Sequence, residues 1–286
     1  MRKALPLLAL LTLAAAAQTV QQVRLTTDDV QVDGIVYRAA KPRSTALLLV
    51  HGFGGNFYGG YFPALSQAAA AQGYTALALN MRDHDLGPKT SDFTDNKYDI
   101  AAGVKYLRDQ GATRVALLGQ SMGTNRVLYY QAATGDPHIA ATVLVSGPGN
   151  LFEWNVWQFG REKAQATVDQ ALKLKSSGRK KEELMLVDLG PLGKALYTPR
   201  YLLSLRGPEA RSDPYENLAK VKNPVLIIQG KADKLIAPDI AERLKKAATS
   251  AGRVDVLFVE GATHQFRGEE TELSDRILRW LEEVTP

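Results

Sequence analysis

The sequence Gly119-Gln120-Ser121-Met122-Gly123 places a hydroxyl side chain between two glycines, one two residues before it and one two residues after it. A short apolar run, Val115–Leu118, precedes it, and a segment of helical character, Thr124–Ala133, follows. In this strand, turn and helix context a serine sits on a sharp turn with its hydroxyl exposed. A side chain at either glycine would crowd the turn. The pattern therefore predicts Ser121 as a nucleophile.

A serine hydroxyl is a weak nucleophile until a base takes its proton, and histidine is a common base. Among the four histidines we favour His264, which lies in Gly261-Ala262-Thr263-His264 after the apolar run Val254–Val259. His84, which follows the run Thr75–Leu79, is the alternative. Of the remaining two, His51 is assigned to a loop and His138 to a surface turn.

The base needs a carboxylate that fixes its tautomer and stabilises the imidazolium. Asp233, in Gly230-Lys231-Ala232-Asp233, follows the apolar run Val225–Gln229 and is the predicted partner. Asp239 is the competitor, but it comes directly after Pro238 in the first turn of a predicted helix. An acid there is explained by the helix dipole alone.

A glycine-rich sequence, His51-Gly52-Phe53-Gly54-Gly55, directly follows the apolar run Ala46–Val50. Such a loop can bring a backbone N–H to a substrate carbonyl oxygen, so we expect the amides of Phe53 and Met122 to form an oxyanion hole. His51 is expected to hold this loop by hydrogen bonds. At least one of Phe53, Phe57 and Tyr58 is expected to wall the acyl pocket, and Phe57 and Tyr58 are the candidate substrate contacts of the aromatic segment that follows.

The elements that must position these residues alternate between apolar runs and helical segments. Besides the apolar runs already named, Thr142–Val145 has the composition of a strand buried on both faces. Helical segments occur at Phe62–Gln72, Tyr98–Arg108, Pro238–Ser250 and Glu272–Glu283. This alternation predicts an α/β fold with a mostly parallel, doubly wound sheet. Val20–Leu25 and Gln31–Arg38 alternate apolar with polar residues and predict an antiparallel edge, with Asp33-Gly34 as a turn.

One segment, residues 150–213, interrupts this alternation and shows no credible buried strand. It contains Trp154 and Trp157, and it is basic, with 11 Lys and Arg against 8 Asp and Glu. We predict an inserted helical cap over the carboxyl edge of the sheet, the edge at which such sheets bind ligands. The core is then residues 18–149 and 214–286. The two tryptophans are expected to contact substrate, although packing of the cap on the core would also account for them.

These four motifs together resemble the α/β-hydrolase superfamily from about Leu25 to the C-terminus. HGFGG, GQSMG, GKAD and GATH fall where that family keeps its oxyanion loop, nucleophile, acid and base, in the order Ser121, Asp233, His264. The resemblance implies hydrolysis of a small-molecule carboxylic ester through an acyl-enzyme, with no cofactor and no metal. Phe53 stands where some lipases keep glycine, so the loop is similar to that of esterases with a single glycine.

Other activities remain open, because fold and triad do not encode the acyl or leaving group. A thioesterase or a peptidase would use the same triad. A non-catalytic binding protein on a hydrolase scaffold is the alternative from another class, although all the expected catalytic residues are present.

The N-terminus has the layout of a secretory signal peptide at residues 1–17, with Arg2 and Lys3, an apolar stretch and the small residues 15–17. The apolar stretch is too short to span a membrane comfortably, so we expect cleavage near Gln18, no stable membrane insertion afterwards, and a periplasmic or secreted protein. The chain has no Cys, which excludes disulfides and a lipoprotein anchor. Without Arg2 and Lys3 the net charge falls from +5 to +3, too little to indicate a nucleic-acid partner.

Overall fold

The computed structural model describes residues 19–177 and 183–286, so the predicted signal peptide lies outside the described residues. Eight strands form one sheet, in the order β1-β2-β4-β3-β5-β6-β9-β10. Their bounds are β1 Thr19–Thr26, β2 Gln31–Arg38, β3 Thr45–Val50, β4 Ala76–Leu79, β5 Arg114–Gln120, β6 Ile139–Val145, β9 Val225–Gly230 and β10 Val254–Val259. From β4 to β10 neighbouring strands are parallel, whereas β1 and β2 add an antiparallel edge. The predicted doubly wound α/β sheet is confirmed.

Helices cover both faces of this sheet. Their bounds are α1 Phe62–Ala71, α2 Asn96–Asp109, α3 Met122–Thr134, α7 Pro214–Leu218, α8 Ile240–Ala247 and α9 Glu270–Val284. Helices α1 and α9 pack on one face, and α2, α3, α7 and α8 pack on the other. The alternation of side chains along a strand explains why β3 is fully buried: Leu48 contributes to one core cluster, and Leu47 and Leu49 to the other.

The antiparallel edge differs from the prediction in one detail. The predicted turn at Asp33-Gly34 was wrong, because both residues lie inside β2 and the chain turns over Thr27–Val30, where the Thr27 N–H donates to the Val30 oxygen. Gly34 instead lies where β2 and β4 approach closely, since a Cβ there would be 3.1 Å from the Ala78 oxygen. A Cβ at this position would lie 2.8 Å from Leu77 Cδ1 on β4.

The segment between β6 and β9 holds three helices before α7, at α4 Leu151–Phe159, α5 Arg161–Ser176 and α6 Pro199–Arg206. It also contains a two-stranded antiparallel hairpin that the sequence did not indicate, β7 Met185–Asp188 and β8 Lys194–Tyr197, and each strand is buried on one face only. One face of the hairpin packs inward through Val187 and Tyr197, and the other exposes Leu186 and Leu196. Within the described residues, no helix is both long enough and apolar enough to cross a membrane.

Candidate active site

Ser121 occupies a strained turn between β5, which ends at Gln120, and α3, which begins at Met122. Its φ of 53° is positive, a conformation that residues other than glycine rarely adopt and that is held only by surrounding structure. The two glycines of the motif have no room for a side chain. A Cβ at Gly119 would lie 2.4 Å from the Gly123 oxygen, and one at Gly123 would lie 2.2 Å from the Val50 oxygen. The turn therefore depends on both glycines.

His264 and Asp233 meet at the carboxyl edge of the sheet, on the loops after β10 and β9. His264 Nδ1 donates to Asp233 Oδ2 at 2.8 Å, and the Asp233 side chain is fully buried. The other carboxylate oxygen, Oδ1, accepts the Leu235 N–H at 2.8 Å, which fixes the carboxylate plane. With its proton held on Nδ1, the ring of His264 can accept a proton on Nε2.

The competing residues lie elsewhere. Asp239 is an exposed residue at the start of α8, and Asp233, not Asp239, contacts His264. His84 Nδ1 pairs with Asp85, and His138 Nδ1 pairs with Asp136, each at 2.8 Å. Of the four histidines, His264 is the one that lines a pocket together with Ser121.

His51 is buried with both ring nitrogens engaged. Its Nδ1 donates to the Gly52 oxygen at 2.7 Å, and its Nε2 accepts the Met81 N–H at 3.0 Å. Burial and the nearby charge of Arg126 lower the pKa of His51 to about 3, so the ring is neutral. The geometry gives His51 the loop-holding contacts that the sequence indicated.

A buried ion pair, Arg126 with Asp83, is hydrogen-bonded to the same loop. Arg126 on α3 donates from Nη2 to Asp83 Oδ1 at 2.6 Å and from Nη1 to the His51 oxygen at 2.9 Å. Asp83 Oδ2 accepts the Tyr201 hydroxyl of α6 at 2.7 Å. Burial alone would raise the pKa of the Asp83 carboxyl, but Arg126 and the Tyr201 hydrogen bond bring it below its usual value. The network therefore joins the loop after β3, helix α3 and helix α6.

Two backbone donors flank Ser121. Within residues 19–177 and 183–286, neither the Phe53 N–H nor the Met122 N–H has an acceptor. The Met122 N–H belongs to the first turn of α3, where the helix leaves its N–H groups unpaired. Gly52 lets the two segments approach, because a Cβ there would lie 2.7 Å from Ser121 Cβ. Two free N–H groups beside a serine hydroxyl can hold a developing negative charge.

Ser121 and His264 line one pocket, which is partly open to solvent. Its wall is mainly apolar and includes Phe53, Leu151, Trp154, Leu189, Leu235 and Ile236. Trp154 is also tied to the loop that carries Asp233, because its Nε1 donates to the Leu235 oxygen at 2.7 Å. An apolar wall with few polar groups is typical of small-molecule sites.

The structure does not bring the other three predicted aromatic contacts to this pocket. Phe57 is half-buried and packs on the core cluster beneath α1 and α9, with Tyr58 against its ring. Tyr58 is 60% exposed and Trp157 is 47% exposed. Of the aromatic residues expected at the pocket, Phe53 and Trp154 line it.

The family model described as serine aminopeptidase, S33, matches residues 41–271, well over half of the 286-residue chain. The chain belongs to this family. It is therefore a hydrolase of the α/β-hydrolase superfamily, as the motifs predicted. A comparison with curated protein sequences finds no significant match.

Several solved structures share this fold. Est1E from Butyrivibrio proteoclasticus has a TM-score of 0.69 at 15% identity, over 92% of this chain and 98% of that one. The Pyrococcus furiosus esterase Pf2001 has a TM-score of 0.65 at 18% identity, over 98% and 97%. DcsB, solved with a substrate analogue, reaches 0.72 at 16% identity, over 94% and 100%. A second Est1E structure contains ferulic acid. At these identities the likeness is one of fold.

Two residues of the site were missed from the sequence. Ser146 follows β6 with a positive φ of 50°, and its hydroxyl donates to the His264 oxygen at 3.2 Å. Its place directly after a buried strand, like that of Ser121 after β5, was the available signal. Arg206, the last residue of α6, also lines the pocket. No local feature of the sequence distinguishes Arg206 from the other basic residues of its segment.

Proposed function

We propose that this S33-family hydrolase is a serine esterase that cleaves a small-molecule carboxylic ester through an acyl-enzyme. The observation that carries the proposal is the hydrogen bond from His264 Nδ1 to the buried Asp233 carboxylate, made by a histidine that shares its pocket with Ser121. An oriented histidine beside a serine on a strained turn is the arrangement that activates a hydroxyl for attack.

In the proposed mechanism, Ser121 Oγ attacks the ester carbonyl carbon while its proton passes to His264 Nε2. The Phe53 and Met122 amides hold the oxyanion of the tetrahedral intermediate. The carbon–oxygen bond of the alcohol then breaks, and His264 gives its proton to the leaving oxygen. Water repeats the sequence on the acyl-enzyme and releases the carboxylic acid. Asp233 stays ionised and stabilises the imidazolium in both halves.

A peptidase is the second candidate, because the matching family is described as a serine aminopeptidase. An aminopeptidase must hold the protonated α-amine of its substrate, and a carboxylate is the natural partner for that charge. None of the described residues that line the pocket is Asp or Glu. The pocket chemistry therefore favours an uncharged or anionic substrate over an N-terminal ammonium group.

The test is a panel of substrates on the purified mature chain: 4-nitrophenyl esters of increasing acyl length, a feruloyl ester, an acyl thioester and an aminoacyl 4-nitroanilide. We expect the esters to be turned over with the highest kcat/KM. Faster turnover of the anilide would assign a peptidase, and faster turnover of the thioester a thioesterase. A fluorescent phosphonate that reacts with activated serines should label the wild type but not Ser121→Ala. Absence of labelling would indicate a non-catalytic binding protein.

We also propose that the chain is exported and that residues 150–213 act as a cap that selects substrates. For export, the support is the N-terminal sequence, and mass spectrometry of the exported protein should find a chain starting near Gln18. Recovery of the intact N-terminus in the exported fraction would favour an anchor.

For the cap, the support is that Trp154 and Leu189 of this segment line the pocket together with Ser121.

A further inference from the structure

Arg206 is a buried cation in the wall of the pocket. It lies at the end of α6, is 7% exposed, and lines the same pocket as Ser121 and His264. Its Nε and Nη1 are buried, and neither has a hydrogen-bond partner. Buried guanidinium N–H groups that have no acceptor are costly, since charged groups inside proteins are normally paired and fully hydrogen-bonded.

Three acidic side chains around the pocket pair with other basic residues. Glu153, which borders a neighbouring groove together with Arg206, pairs with Arg243. Asp83 is held by Arg126, and Asp233 by His264. No Asp or Glu stands among the described residues of the pocket wall. Within the described chain, the positive charge of Arg206 is therefore left without a carboxylate.

The Arg206 side chain donates a hydrogen bond to the neutral Tyr197 hydroxyl, which positions the guanidinium without supplying a counter-charge. The Arg206 guanidinium carbon lies 6.0 Å from the centre of the Tyr197 ring, near the limit for a cation–π contact. Burial raises the pKa of the Tyr197 hydroxyl, and the charge of Arg206 opposes that rise, so this hydroxyl stays neutral at ordinary pH. A fixed cation in an apolar wall attracts an anion more strongly than an exposed one does.

We propose that Arg206 is a specificity-determining residue that binds an anionic group of the substrate, and that the preferred substrates are esters bearing a carboxylate. A carboxylate that enters the pocket would supply the missing acceptor and counter-charge, and arginine suits it because of its planar array of donors. This inference rests on the proposed esterase activity. It narrows the substrate class from esters in general to esters of dicarboxylic acids or of carboxylated alcohols.

The experiment compares each acidic ester with a neutral counterpart of similar shape. Mono(4-nitrophenyl) glutarate against its methyl ester places the charge on the acyl part, and 4-acetoxybenzoate against its methyl ester places it on the leaving part. We expect one acidic ester to exceed its neutral partner in kcat/KM in the wild type. Arg206→Met should lower kcat/KM for that acidic ester by at least about 30-fold, the lower end for losing one partner of a buried charge pair, and change the neutral ester by less than about threefold.

The matched control is Arg200→Gln. Arg200 lies on the same helix, but its side chain is 61% exposed and faces Asp92 and Asp95 at 3.4 Å. We expect it to leave the ratio of acidic to neutral turnover unchanged. A wild type without preference for either acidic ester would overturn the proposal, and so would an Arg206→Met variant that loses both members of a pair equally, because that pattern belongs to a structural role.

Binding measurements keep the proposal testable if the variant does not fold or if no ester is turned over. Calorimetry on the wild type should detect benzoate or glutarate but not benzamide, and Arg206→Lys should weaken the carboxylate by at least about tenfold, since lysine lacks the planar fork. Absence of carboxylate binding to the wild type would overturn the proposal. Carboxylate binding without turnover of any ester would refute the esterase and retain the anion site.

Discussion

His51 should make the protein less stable in mild acid, and the size of the effect follows from its burial. The ordinary pKa of a histidine is 6.5, whereas burial lowers that of folded His51 to about 3. Because the folded pKa is depressed, the stabilising contribution of neutral His51 is complete above pH 6.5. It is lost progressively as the pH falls from 6.5 towards 3, because in this range His51 is protonated in the unfolded chain but not in the folded one.

The magnitude can be worked out for two convenient conditions. At pH 7.5 neither state holds much of the proton. At pH 5.5 the unfolded side chain is about 90% protonated and the folded one is neutral, so the free energy of unfolding should fall by about 1.4 kcal/mol. With a urea m-value of about 3 kcal/mol/M, the unfolding midpoint moves down by about 0.5 M from this residue alone.

The assay is urea unfolding of the wild type and of His51→Gln at both pH values, followed by circular dichroism. Glutamine keeps an acceptor for the Met81 N–H but does not titrate. We expect the wild type to lose about 1.4 kcal/mol more than the variant between pH 7.5 and 5.5, on the same reasoning. The difference should persist in added salt because a buried group is weakly screened. Equal losses in the two proteins would refute a neutral, buried His51.

The remaining predictions concern the proposed triad and the cap. Ser121→Ala should lower kcat by about 10⁶ with little change in melting temperature, and Asp233→Ala should lower kcat by about 10⁴. Asp239→Ala, on an exposed site, should stay close to wild type, and the reverse order of the two Asp variants in an esterase assay would reassign the acid. Trp154→Phe should change kcat/KM more for bulky esters than for 4-nitrophenyl acetate, whereas the matched Trp157→Phe change should leave both alike; a uniform loss in Trp154→Phe would reduce that residue to packing.

The central sheet could be predicted because its strands are defined by local composition. Runs such as Ala46–Val50 and Val225–Gln229 are apolar on both faces, and a strand covered on both faces needs no information from elsewhere in the chain. The positions of Asp233 and His264 followed from the sheet as well, since each comes directly after such a run. Their contact at 2.8 Å is a consequence of parallel strands ending at one edge.

The features that escaped prediction depend on distant partners. The strands β7 and β8 have four residues each, too short for a periodic signal, and they are stabilised by pairing with each other and packing on the neighbouring helices. Gly34 was misread as part of a turn because its reason, the approach of Leu77, lies more than forty positions away. Tyr58 and Trp157 were chosen for residue type and proximity to motifs, and neither property says which way a side chain faces.

A continuous set of buried contacts links the proposed nucleophile to the proposed anion site. Ser121 directly precedes α3, and Arg126 on the second turn of that helix pairs with Asp83 at 2.6 Å. Asp83 accepts the Tyr201 hydroxyl at 2.7 Å, and Tyr201 and Arg206 belong to the same eight-residue helix, α6. Because the buried Arg126–Asp83 pair is also hydrogen-bonded to the His51 oxygen and to the Tyr201 hydroxyl, few alternative arrangements exist, and α6 is held at a fixed place relative to α3. A selectivity residue is effective only when its distance from the reacting atom is constant, and this network meets that condition without a direct contact between Arg206 and Ser121.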